Sequence, residues 1–241
     1  MTQDRGEHRS SIVIAIDGPA ASGKSSTAHW VASVLGIRHV DSGALYRAAT
    51  AAALRGGTAP EAWTEDAVLA QAQRVSLSAR DTSFVPCIDG QDAEGEIRGA
   101  EVTRHVSRVA QMPNVRAWVN SLVRETASRH DVVVDGRDMG TAVFPDATLK
   151  VFLIADPWER ARRRLTQHMA RRPTDAEIAE ETDRIVHRDA SDATQTVQAK
   201  DAVLIDTTYL TQPEQVDRIV ALAKAVTQRG GDTSPVDGRP A

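Results

Sequence analysis

The 241-residue chain contains a single cysteine, Cys87. One thiol cannot close an internal disulfide, so a disulfide-stapled extracellular scaffold is excluded and a reducing, cytoplasmic setting is expected. Cys87 lies in the apolar stretch FVPCI, the context of a buried, inert thiol rather than of a nucleophile. Aromatic residues are scarce, at 4%, which leaves no stacking platform for single-stranded nucleic acid. Positive charge is not in excess either. The 29 Lys and Arg against 33 Asp and Glu give a net charge of −4, which argues against a nucleic-acid binder held by phosphate contacts. No apolar run approaches the roughly 20 residues that cross a bilayer. The first ten residues, MTQDRGEHRS, lack the apolar centre of a signal peptide. No internal repeat stands out.

What is present is ordinary core-forming composition, 41% hydrophobic and 26% charged, in a chain long enough for one substantial domain with an insertion or for two small domains. Residues 1–10 and 229–241 are polar or rich in Gly and Pro and are expected to be flexible ends. IVIAI (12–16) is a short apolar run of the kind buried on both faces of a parallel sheet. A helix over Lys24–Leu35 follows, ended by Gly36. IRHV, DVVVD (131–135), LKVFLI (149–154) and AVLID (202–206) read as further strands, separated by helical patterns. One helix is expected from about Gly43 to Leu54. This alternation predicts an α/β fold, a parallel sheet with helices on both faces. Residues 75–100 break the rhythm. RVSLSA alternates, and Asp89-Gly90 suits a tight hairpin turn, so a small antiparallel β subdomain is expected there. Helices near 100–110 and 114–129 lead back to the sheet.

Between the first strand and the first helix, Gly18 to Ser25 fits G-x-x-x-x-G-K-[ST] without a mismatch. Gly18, Pro19, Ala20, Ala21, Ser22 and Gly23 can turn backbone N–H groups inward around an anion at a helix N-terminus. Lys24 would reach the β- and γ-phosphates of a nucleoside triphosphate, and the motif alone does not choose among ATPases, GTPases and kinases. Ser25 would ligate Mg²⁺, and Ser26 would donate to a neighbouring phosphate oxygen. No N-K-x-D guanine-reading signature occurs, so a GTPase is disfavoured.

Two polar clusters follow other strands: DSGALYR (41–47) and DGRDMG (135–140). Ligands in open parallel sheets sit beyond the carboxyl ends of strands, so these clusters converge on the phosphate loop. Arg47, read in the first turn of its helix, opposes the helix dipole unless an anion binds nearby. For Ser42, an N-cap role and a ligand contact both stay open. Asp135, at a strand end, is placed to orient Mg²⁺ through its waters. In DPWERARRRLTQ (156–167), Arg160, Arg163 and Arg164 share one helical face by i, i+3, i+4 spacing. Beside a nucleotide site such a face reads as an arginine lid over about 157–195. Arg188, Asp189 and Asp192 of HRDASD would complete it.

IAIDGPAASGKSS, DSGALYR, GQDAEGEIRG, VDGRDMGTAVFPDATLKVFL, RARRR and VLIDTT together resemble the bacterial cytidylate kinases, over about residues 11–225. GRDMGTAVFPDA is far more specific than the phosphate loop. The resemblance implies a P-loop nucleoside-monophosphate kinase that phosphorylates CMP and dCMP with ATP and Mg²⁺. Its enlarged monophosphate-binding region (about 42–130) would hold the β insert. By position, Ser42, Arg47 and Arg137 would hold the acceptor phosphate, Ser107, Arg116 and Asp138 the cytosine edge, and Arg188 and Asp192 the pentose. Lys24, Arg137, Arg160, Arg163 and Arg188 would form the catalytic set. A monomer with small nucleotides as its only partners, and no nucleic acid or membrane, is expected. One departure stands out: members commonly carry an arginine three residues after the lid aspartate, where this chain has Gln195.

Overall fold

The computed structural model describes residues 11–230, so the two expected flexible ends, 1–10 and nearly all of 229–241, lie outside the described residues. Five strands form one parallel sheet: β1 (Val13–Asp17), β2 (Arg38–Asp41), β6 (Val132–Asp135), β7 (Leu149–Ile154) and β8 (Val203–Asp206). Their order is β2-β6-β1-β7-β8. Every residue of β1 and β6 is buried, as uninterrupted apolar runs sandwiched between helical layers should be. Truncating such a residue, Ile16→Ala for example, costs about 2–5 kcal/mol.

The register positions the chemistry. Ile16 of β1 sits level with Asp135 of β6, and Asp135 level with Asp41 of β2. After β1 the chain crosses to β2, whereas after β6 it crosses to β7. The strand order therefore reverses beside the carboxyl ends of β1 and β6, where open α/β sheets bind ligands.

Helix α1 (Lys24–Leu35) runs from the phosphate loop and ends at Gly36, which takes the left-handed conformation at φ 69°. Helix α2 (Ser42–Arg55) starts directly after β2. Its N-cap is Asp41, whose carboxylate accepts the Ala44 amide at 3.0 Å, so the cap role left open for Ser42 belongs to its neighbour. Because α2 begins at Ser42, Arg47 lies in the second turn rather than the first.

Helix α3 (Glu65–Ala72) precedes the insert and was not expected from the sequence. The insert is an antiparallel sheet of β3 (Val75–Ala79), β4 (Phe84–Ile88) and β5 (Gln91–Asp92). Asp89 and Gly90 have φ of 53° and 76°, the paired left-handed residues of a two-residue hairpin. Phe84 and Ile88 share one apolar cluster with Ala15, Val40 and Leu45. The insert thus packs continuously onto the main sheet through α2, and Cys87 is buried in it. Helices α4 (Ala100–Val109) and α5 (Pro113–Arg129) close that side.

A π-helical turn, Met139–Val143, links β6 to β7. Helices α6 (Pro157–His168) and α7 (Asp175–Asp192) pack as a pair around Ala161, Ile178 and Ile185. Helix α8 (Gln212–Gly230) returns against α1, where Gln215 accepts from Thr27 at 3.0 Å.

Candidate active site

Gly18 opens the phosphate loop with φ 149°, and a Cβ there would stand 2.2 Å from the Leu153 carbonyl oxygen. Only glycine lets the loop leave β1 this close to β7. Gly23, at φ 85°, then turns the chain into α1. Asp17, buried at the loop's entrance, accepts the Met139 and Gly140 amides at 2.9 and 2.7 Å. Burial pushes its carboxyl up to about 6 against the opposing pull of those amides. Lys24 is enclosed, donating to the Pro19 carbonyl at 2.6 Å and to Ser22 Oγ at 3.3 Å. Burial, and next the positive charge of Arg137, push its pKa well below the ordinary lysine value. A desolvated ammonium at the N-terminus of a helix is placed to gain from a phosphate.

Ser25 Oγ donates to Asp135 Oδ2 at 2.7 Å. His39 Nε2 lies 2.6 Å from the other carboxylate oxygen. Burial alone would raise the Asp135 pKa, but His39, the Ser25 hydroxyl and Lys24 together hold it below the usual carboxylate range. The same contact raises His39 despite its burial. Ser42 Oγ donates to the Asp135 carbonyl at 2.7 Å, tying the start of α2 to the end of β6. The donors beside the loop are hard oxygens, a hydroxyl and an ionised carboxylate, which suit Mg²⁺. Among the described residues no three or more His, Cys, Asp or Glu form a metal cage. A Mg²⁺ ion shared with phosphates needs few protein ligands, so the residues present fit it.

Beyond the loop the cleft opens to about 1130 Å³. Of the residues singled out from the sequence, Ala21, Ser22, Gly23, Lys24, Ser25, Ser26, Ser42, Arg47, Ser107, Arg116, Asp135, Arg137, Asp138, Arg163, Arg188 and Asp192 all line it. Arg116 is held from several sides. It donates to the Ala110 carbonyl at 3.1 Å and to Gln195 Oε1 at 2.7 Å, forms a close ion pair with Asp138, and lies over the Tyr46 ring. Arg47 donates to the Ile97 carbonyl at 3.2 Å and to Thr103 Oγ1 at 3.0 Å. Asp192 sits between Arg137, at 3.5 Å, and Arg188, at 3.8 Å. Burial, with Arg137 next, lowers the Arg188 pKa. The Nε atoms of Arg137 and Arg188 are buried and, beyond these long ion pairs with Asp192, make no hydrogen bond among the described residues. Unsatisfied guanidinium N–H groups beside one another suit an incoming phosphate.

Five expected residues, Gly18, Pro19, Ala20, Arg160 and Asp189, stand apart from the cleft lining. Gly18 and Ala20 are buried and Pro19 is half-buried, forming the stem of the loop. Arg160 departs from its expected phosphate-facing role: it is 4% exposed and donates to the Ala20 carbonyl at 2.7 Å. The arginines of α6, which spacing alone put on one face, divide among separate partners. Arg163 donates to the Thr207 and Thr208 carbonyls, and Arg164 pairs with Glu181 at 3.2 Å. The sequence reading missed His39 and Tyr46, because an isolated strand histidine and a helical tyrosine carry no signature. It also missed the contact of Asp189 with the phosphate loop.

A family model described as cytidylate kinase matches residues 14–225. The cytidylate kinase of Desulfitobacterium hafniense is 41% identical, covering 92% of this chain and 97% of the relative. That of Mycobacterium leprae is 40% identical, covering 91% and 97%, and that of Chlorobaculum tepidum 37%, covering 90% and 95%. Among solved structures, a gluconokinase from Sinorhizobium meliloti aligns at a TM-score of 0.50 and 14% identity, covering 94% of this chain and 99% of that one. At that identity the likeness speaks for the fold alone. Sequence and architecture agree: the chain belongs to the cytidylate kinase family.

Proposed function

We infer that the protein transfers the γ-phosphoryl group of ATP to the 5′-phosphate of CMP and dCMP, giving ADP with CDP or dCDP. The observation that carries this reading is the continuity of a single cleft, with Lys24 at the phosphate loop and the Arg116–Asp138 pair in the same walls. Cytosine presents the O2 and N3 acceptors and the N4 amino donor. Arg116 and Ser107 can donate to the former while Asp138 accepts from the latter. Arg47 and Arg137 hold the acceptor phosphate, and Asp192 and Arg188 meet the pentose.

The acceptor oxygen already carries negative charge, so no strong general base is required. Rate comes from in-line positioning and from charge placed around the transferring group. Lys24 follows the β- and γ-oxygens, while Arg163 and Arg188 neutralise the equatorial oxygens from α6 and α7. A Mg²⁺ ion arriving with the triphosphate would be held by Ser25 Oγ, and by Asp135 through water, supplying further neutralisation. The α6–α7 pair acts as a lid that excludes water, without which ATP would be hydrolysed. The protein works as a cytoplasmic monomer on free nucleotides. No described helix is long and apolar enough to cross a membrane.

A coupled ADP assay across CMP, dCMP, UMP, AMP and small alcohols tests the reading. Turnover should be highest with the two cytidine nucleotides. Preference for an alcohol would point to a metabolite kinase instead, and ATP binding without ADP from any acceptor to a non-catalytic module.

A further inference from the structure

The main-chain N–H and C=O of Ala20, inside the phosphate loop, are gripped by the α6–α7 pair rather than turned toward the cleft. Its N–H donates to Asp189 Oδ1 at 3.0 Å. Its carbonyl accepts from Arg160 Nη1 at 2.7 Å. Arg160 Nη1 in turn lies 2.6 Å from Asp189 Oδ2. The main chain of one residue, one carboxylate and one guanidinium therefore close a ring that joins α6, α7 and the loop. The next residue, Ala21, holds the left-handed conformation at φ 55°. A non-glycine residue keeps that conformation only where its surroundings over-determine it. The residue before, Pro19, supplies the carbonyl that holds Lys24 Nζ.

We propose that Asp189 and Arg160 are positioning residues, a latch through which the helical pair sets the shape of the phosphate loop. The latch rests on the kinase reading above only for its catalytic consequence. Asp189 directly follows Arg188, and Arg160 lies one helical turn before Arg163. Anchoring these two side chains on Ala20 thus fixes where the cleft-facing arginines stand relative to Lys24. Arg160 never needs to touch phosphate to matter for transfer. Its buried guanidinium is partnered by the Ala20 carbonyl and the Asp189 carboxylate.

The test has one arm without nucleotide and one with it. In the empty protein, hydrogen exchange at the Ala20 amide should be slow in the parent chain and at least about tenfold faster in Asp189→Ala, since a charged hydrogen bond is lost. Asp189→Asn, which keeps one acceptor oxygen, should fall between them. With ATP and CMP, Asp189→Ala should lower kcat by about 10- to 100-fold while moving the KM for CMP little. The ADP released without CMP should rise relative to that released with it. The exchanged pair Arg160→Asp/Asp189→Arg restores a salt bridge but offers Ala20 the wrong donor and acceptor. It should not recover kcat. Unchanged exchange at Ala20 in Asp189→Ala, or recovery of turnover by the exchanged pair, would overturn the latch. Should Asp189→Ala fail to fold, the same two readings on Asp189→Asn decide. A parent chain that makes no CDP would sink the kinase reading and leave the exchange result standing.

Discussion

Replacing Lys24 by methionine removes a charge while leaving nearly the same volume in the phosphate loop. In the nucleotide-free protein the ammonium is 6% exposed and held by one carbonyl and one hydroxyl. Burial and Arg137 depress its pKa well below the ordinary value, so the folded state accommodates the charge less well than the unfolded chain does. For a base shifted in this direction the penalty is present at neutral pH. It fades as the pH rises from the depressed value toward the unfolded one, about 10.4. Lys24→Met should therefore leave the empty protein at least as stable at pH 7. Triphosphate reverses the balance, because its charge is what the ammonium lacks. Ligand at a hundredfold excess over Kd adds about 2.7 kcal/mol, which for a chain of this length raises Tm by about 5–11 °C. The variant should forfeit most of that rise, and kcat should fall by about 10²–10³-fold, as when one preorganised donor to a transition state is lost. Thermal melts with and without ATP and Mg²⁺, beside a coupled ADP assay, read both quantities. Undiminished turnover with the full ATP-induced rise would refute the role of Lys24. A Tm several degrees lower in the empty variant would refute the burial argument.

Arg116→Ala should raise the KM for CMP by about 10- to 100-fold, the worth of a base-edge contact, and erase much of the preference for CMP over UMP. Equal loss with every acceptor would speak against base reading. Gly18→Ala places a methyl 2.2 Å from the Leu153 carbonyl oxygen at φ 149°. Backbone cannot yield cheaply, so the variant should lose about 1–3 kcal/mol of stability or more together with the ATP-induced rise in Tm. Wild-type melting and ATP response would contradict the geometry. Asp17 should titrate near 6 by carboxyl-carbon NMR, because burial raises it. As an acid with a raised folded pKa, it stabilises the fold fully below the unfolded value and loses that contribution as pH rises through about 6. A midpoint near 4 would show the site to be wetter than described.

The phosphate loop and β1, β6 and β7 were legible because their signals are local: a spaced motif and runs of branched apolar residues. The Asp89-Gly90 hairpin was legible for the same reason, since two left-handed residues in succession need that chemistry. Helix α3 and the π-helical turn at Met139–Val143 were not, because neither carries a distinctive pattern. The run Arg160–Arg164 announced a basic helix, yet spacing could not say which guanidinium turns inward. That choice is made by Ala20, Thr207 and Glu181, all distant in sequence. His39 and Asp135 are 96 positions apart and meet through strand register alone. The Ala20–Asp189 contact spans 169 positions. Gln195, which stands where the resembled family commonly carries arginine, braces Arg116. Long-range polar partners are set by packing, and no local pattern encodes them.

The most direct test of phosphoryl transfer between two nucleotides in one cleft follows the phosphorus itself. The protein is mixed with Mg²⁺, CMP and ATP labelled at the γ-phosphorus, and the products are separated. The label should appear in the β-phosphate of CDP, with ADP formed in equal amount. Label recovered solely as inorganic phosphate, with CMP untouched, would contradict the account.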